Sequence, residues 1–242
     1  MAKLEWDKTG ERWLEYGTKQ GVLYVQNSDG TYKDGVVWNG LTAVTESPEG
    51  AEPNDLYADD IKYASLRSAE TFGGTIEAYQ SPDEFDECDG TASPVKGGQP
   101  VKGVHIGQQK RMPFGFSYVT QVGNDTASDT DDGYKLHIWY NCTASPSEKS
   151  YETVNDSPDA ITFSWEITTT PVMLPGYKPI STITIDSTKL DAAGKAALKE
   201  LEDQLYGRDA VEADADHNIA AVEAITPNLP SPEEVLAMFT TD

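Results

Sequence analysis

Positive charge is scarce in this sequence. Over 242 residues, 18 Lys and Arg stand against 41 Asp and Glu, a formal net charge of −23. Such a chain repels phosphate backbones and anionic lipid, which argues against nucleic-acid binding through a basic face. No Lys or Arg follows Arg208. Cysteine is also scarce: Cys88 and Cys142 make neither a disulfide framework nor a zinc spacing, and they read as free thiols of a reducing compartment. The histidines His105, His137 and His217 are scattered. No apolar run approaches the roughly 18 residues of a membrane span. The opening "MAKLEWDKTGERW" has no apolar signal-peptide core. A G-x-S-x-G elbow, a P-loop and a strand–GxGxxG–helix unit are all missing.

What the chain does have is strand material. Twelve Tyr and five Trp lie among 20 Gly and 14 Pro, the mixture expected of strands joined by tight turns. "GVLYVQNSDGTYKDGVVWNGLTAVTE" holds three short strand-like runs separated by Asp-Gly turn signals. "ETFGGTIEAYQ" reads as a further strand. Alternation is cleanest in "RMPFGFSYVTQV", "YKLHIWY" and "AITFSWEITTT", where one face is oily and the other polar. "STITI" supplies a last strand. The strands over 112–122, 134–142 and 160–169 are expected to build the core, with Phe114, Phe116, Ile161, Phe163 and Trp165 inside. A helix is expected at about 188–206, capped by Ser187 or Thr188 and ended at Gly207. A second, short helix near 231–239 opens with Ser231, Pro232 and Glu234 in a capping-box pattern. "SPEGAEPNDLYADD", residues 47–60, reads as a long acidic loop.

"GNDTASDTDDGYKLHIWY", residues 123–140, crowds Asp125, Asp129, Asp131 and Asp132 around glycines. An EF-hand loop needs acidic ligands at positions 1, 3 and 5, Gly at 6 and Glu at 12, and no frame here satisfies that spacing. The stretch reads as a hairpin connection, so no metal and no cofactor is expected. Paired carboxylates could serve a glycosidase, but with 41 acidic residues some pair is always at hand.

Six ordered segments carry a resemblance. They are "GVLYVQN", "GVVWNGLTAVTESPEGAEPNDLYADDIKY", "FGGTIEAYQSPDEFDECDG", "IGQQKRMPFGFSYVTQVGND", "GYKLHIWYNCTASPSEKSYETVNDSP" and "AITFSWEITTTP". Together they resemble the major tail proteins, or tail tube proteins, of bacteriophages with long flexible tails. The resemblance implies a β-sandwich with a flanking helix and no catalytic residues. It implies six copies closing into a ring around an inner β-barrel, and rings stacked into the hollow tail tube through which double-stranded DNA is ejected. It also implies tape-measure and tail terminator or tip proteins as partners, and a place in the virion after synthesis in the bacterial cytoplasm.

Within that frame, residues 1–20 are expected to be an N-terminal arm, 21–207 the tail-tube domain and 208–242 an acidic C-terminal arm. Residues 36–46 and 61–79 are expected to be inner-barrel strands, with Glu46 and Glu77 facing the lumen. Loop 47–60 is expected to touch the next ring through Pro48, Glu49, Glu52, Pro53, Asp55 and Tyr57. The alternative is a monomeric β-sandwich that binds carbohydrate on Trp38 and Trp139; an acid-pair glycosidase ranks behind it.

Overall fold

The computed structural model describes residues 4–50, 53–66, 70–101, 103–126, 133–151, 153, 159–212 and 221–240. In chain order its strands are β1 (Trp13–Val25), β2 (Val36–Trp38), β3 (Leu41–Glu49), β4 (Asn54–Ala58), β5 (Ile61–Leu66) and β6 (Thr71–Ala78). A 3-10 turn (Asp83–Phe85) and the short α1 (Asp86–Asp89) follow, then β7 (Val95–Lys96) and β8 (Gln99–Pro100). β9 (Phe114–Asn124), β10 (Gly133–Ala144), β11 (Phe163–Thr169) and β12 (Thr182–Asp186) precede α2 (Ala192–Tyr206) and α3 (Pro232–Phe239).

The main sheet is antiparallel, ordered β2-β1-β9-β10-β11-β6-β3, with β12 pairing β10. β2 and β3 are neighbours in the chain but sit at opposite ends of that order, so the sheet must curl. Trp38 of β2 accordingly meets Trp165 of β11 with ring centroids 5.4 Å apart. The fold is a mainly β sandwich whose two sides bury separate clusters. Inside the curl lie Leu23, Trp38, Ile76, Phe85, Cys88, Phe114, Phe116, Trp139, Cys142, Trp165 and Ile167. On the other side Val22, Tyr24, Leu136, Ile138 and Tyr140 pack under Leu198, Leu201 and Leu205 of α2. Period two explains the division: Leu23 goes one way, Val22 and Tyr24 the other.

Phe114, Phe116 and Trp165 are buried, and Phe163 is half-buried against the same cluster. Ile161 is a correction. It is 39% exposed, because β11 starts two residues later and alternation without a strand does not bury a side chain. Part of the segment expected as an N-terminal arm is strand. Trp13, Leu14, Glu15 and Tyr16 already pair with Asn124, Gly123, Val122 and Gln121 of β9. Cross-strand partners far away in sequence decide this, and local charge gave no hint of it.

The cap of α2 is Asp191, whose carboxylate accepts from the Gly194 amide at 2.8 Å, in place of Ser187 or Thr188. Ser187 instead accepts the Tyr134 amide at 2.9 Å, and the Thr188 hydroxyl bonds Asp186. At α3 the capping box between Ser231 and Glu234 is present. The described part of the C-terminal segment is docked: Arg208 bridges Ile225, Asn228 donates to the Gln204 carbonyl, and Leu229 and Val235 are buried in the helix-side cluster. Gly115 on β9 makes room for Leu229, since a Cβ there would lie 2.1 Å from the leucine Cδ2.

Candidate assembly surfaces

The long loop expected at 47–60 divides into structure. Its first residues continue β3, with Ser47, Pro48 and Glu49 paired to Gly73, Phe72 and Thr71. Pro53 is exposed, and Glu52 lies outside the described residues. From Asn54 the chain forms a second hairpin, β4–β5, paired from Asn54↔Leu66 to Ala58↔Ile61 with a register shift between Leu56 and Tyr57. Its two-residue connection is Asp59-Asp60, both at positive φ (50° and 61°), the backbone of a primed hairpin turn. Asp tolerates that region better than most residues, so "ADDI" turns without glycine. Asp55 is tied to Lys62 at 2.7 Å across the strands. Residues 61–79, expected as one strand, are therefore β5 and β6.

This hairpin is a two-stranded sheet of its own, and it is apolar where it meets solvent. Tyr57 is 70% exposed and Tyr63 75%, with Leu56, Ile61 and Leu66 exposed beside them. An isolated hairpin of this size is marginal in water. Clustered apolar exposure of this kind marks an interaction surface.

A second surface is the outward face of β3, β6 and β11. Ala43, Glu77 and Ser164 stand in register, followed by Thr45, Thr75 and Glu166, then Ser47, Gly73 and Thr168. No lysine or arginine stands among them. Glu77 is half-exposed there and Glu166 exposed.

Glu46 lies on the opposite side of β3 from that face. Strand alternation turns it to the inner side, where its Oε1 accepts from the Tyr118 hydroxyl at 2.9 Å and from Trp139 Nε1 at 3.2 Å. His137 stacks on Tyr118 with centroids 4.6 Å apart and places Nδ1 3.4 Å from the same oxygen. Its Nε2 is 3.0 Å from the Thr120 hydroxyl, which donates to Glu15 Oε1 at 2.6 Å; Lys135 pairs with the other Glu15 oxygen. The His137 ring, acting against burial and helped by Tyr118 and Trp139, holds the Glu46 carboxyl down to about 2. Burial would raise Glu15, but Lys135 and Thr120 bring it below its usual value. The network joins β1, β3, β9 and β10; its carboxylates are taken up by donors rather than presented to a substrate.

Trp38 and Trp139, the platforms required for carbohydrate stacking, are 2% and 0% exposed. The Trp38 indole donates to the Gln80 carbonyl at 2.9 Å. Among the described residues no group of His, Cys, Asp and Glu is arranged to hold a metal, and no helix is long and apolar enough to cross a membrane. Gly123 and Asn124 end β9, Asp125 follows it and Gly133 begins the antiparallel β10, so the acidic stretch does connect a hairpin. Asp129, Asp131 and Asp132 lie outside the described residues.

A family model for the phage tail tube protein matches residues 1–204. The chain belongs to that family. This makes it a structural component of a virion tail, built to assemble with other tail proteins. The match ends inside α2, so the docked segment from Arg208 onward lies beyond it. No curated protein matches the chain.

Sequence reasoning missed the β4–β5 hairpin because proline and acidic residues dominated the reading of 47–60. The available signal was the alternation of Leu56, Ala58 and of Ile61, Tyr63 about the Asp59-Asp60 pair.

Proposed function

We propose that this tail tube protein self-assembles into hexameric rings that stack into a hollow tube, the conduit for DNA ejection. The observation that carries the reading is the exposed apolar β4–β5 hairpin on a subunit of this family. Five large apolar side chains in solvent are a standing cost for a free subunit and a gain for a packed one. A contact between unlike surfaces of identical copies closes into a ring when its rotation permits and otherwise continues as a filament. In this scheme the hairpin reaches the next ring, with Asp55 and Tyr57 on it and Pro48, Glu49 and Pro53 at its base. The strands β3 and β6 line the lumen, with Glu77 and Glu166 turned toward DNA. A wall with carboxylates and no cations does not grip phosphates. The tape-measure and terminator or tip proteins complete the tail, and subunits are made in the host cytoplasm.

The test replaces residues 54–66 with a short Gly-Ser linker. Negative-stain microscopy is expected to show tubes for the natural chain and dispersed, folded subunits for the variant. Normal tubes from the variant would refute the hairpin's role.

A further inference from the structure

A cleft of about 500 Å³ is lined by Asp89, Gly90, Arg111, Ser147, Lys149 and Trp165 among others. Its charges are unevenly used. Lys149 pairs with Asp89 at 3.1 Å, and Asp89 also accepts from the Thr91 amide at 3.0 Å. Arg111 is different: among the described residues its guanidinium has no ion pair and no hydrogen bond, and its Nε is buried. The other described arginines are both engaged, Arg12 with Asp125 and the Asp7 carbonyl, Arg208 with Asp203.

An idle guanidinium is out of place in a chain of net charge −23, where carboxylates outnumber cations two to one. Arginine cannot shed its proton, so a half-buried guanidinium without a partner keeps an uncompensated desolvation cost. Two further features belong to the same cleft. Trp165 lines the same cleft, is 3% exposed, and its indole N–H has no acceptor. Gly90, at φ +86°, lets the guanidinium pack against its backbone: a Cβ there would lie 3.0 Å from the Arg111 Cζ. Unused donors over a polar cleft call for an acceptor that brings negative charge.

We propose that this cleft is a receptor site for a carboxylate, held by the guanidinium fork of Arg111 with Lys149 adding positive charge and the Trp165 indole as an available donor. Planar two-oxygen acceptors match the arginine fork. The carboxylate comes either from a small anion or from an acidic side chain of a second copy. The site stands independently of the tube reading, and only its source rests on that reading.

The test uses the full-length, isotope-labelled chain below its assembly concentration, titrated with succinate at constant ionic strength. The expected result is a saturable shift of the Arg111 Nε–H and Trp165 indole resonances. Arg111→Gln should weaken binding about ten-fold or more. Without succinate the variant should melt no lower than the natural chain, because it loses no partner. Arg111→Lys, which keeps the charge and drops the fork, should bind at an intermediate level. Succinate that slows assembly of the natural chain assigns the carboxylate to a neighbouring copy; unchanged assembly assigns it to a free anion. Absence of a saturable shift, binding indifferent to Arg111, or an Arg111→Gln chain that melts lower or fails to fold would overturn the proposal.

Discussion

The two ends of this subunit solve the same problem in opposite ways. Around β9, β10 and the second half of β1 (residues 21–25) both sheet faces are covered, one by the curl of the sheet and the other by α2, α3 and the segment through Leu229. Even the polar groups are internal: Tyr24 donates to the Leu205 carbonyl at 2.8 Å, and Tyr118 to Glu46. At the β4–β5 end the strands pair with each other, and Tyr57 and Tyr63 stand in water. The same kinds of residue therefore carry different meanings. An aromatic in β9 reports on folding, and in the proposed tube an aromatic in the hairpin reports on assembly.

The comparison breaks most visibly at the hairpin. Changing Tyr57 and Tyr63 together to Ser is expected to abolish tube formation while leaving the monomer's stability within about 0.5 kcal/mol, as for exposed sites. Sedimentation and thermal melting measure the two halves of that statement; a large loss of melting temperature would place the hairpin in the core regime. The converse variant is Phe116→Ala in β9, fully buried, expected to cost about 3–5 kcal/mol in a denaturant titration. Phe163→Ala should cost clearly less, since that ring is only half-buried, and equal losses would contradict the assigned burial.

Much of the covered end was legible in the sequence. Alternation located β9, β10 and β11, and Ser231 with Glu234 located the start of α3. Misreadings arose where distant contacts decide. Ile161 alternates correctly but precedes its strand, and residues 13–16 become strand only because β9 lies beside them. The docking of the C-terminal segment depends on space at Gly115, which no local pattern announces.

That space offers a sharper test of the covered end. Gly115→Ala forces its Cβ against Leu229 and is expected to cost about 1–3 kcal/mol by overpacking. Adding Leu229→Ala should cancel part of the cost, a non-additivity a double-mutant cycle resolves. Smaller still is Glu46→Gln. The folded Glu46 carboxyl sits at about 2, below its ordinary 4.5, so its contribution is fully present above about pH 4.5 and is lost as pH falls toward 2. Because the side chain is about a third exposed, solvent screening leaves roughly 1 kcal/mol. Melting curves of the two proteins should differ at pH 7 and converge near pH 2. Divergence that grows on acidification would contradict the sign. Cys88 and Cys142 should resist thiol reagents in the folded chain, since burial raises both, Cys88 to about 12.

Electron cryo-microscopy of the purified chain at high concentration tests the central claim most directly. The account predicts hollow tubes of stacked six-fold rings in which Tyr57 and Tyr63 are covered by a neighbouring copy. Dispersed monomers, or tubes with the hairpin still facing solvent, would contradict it.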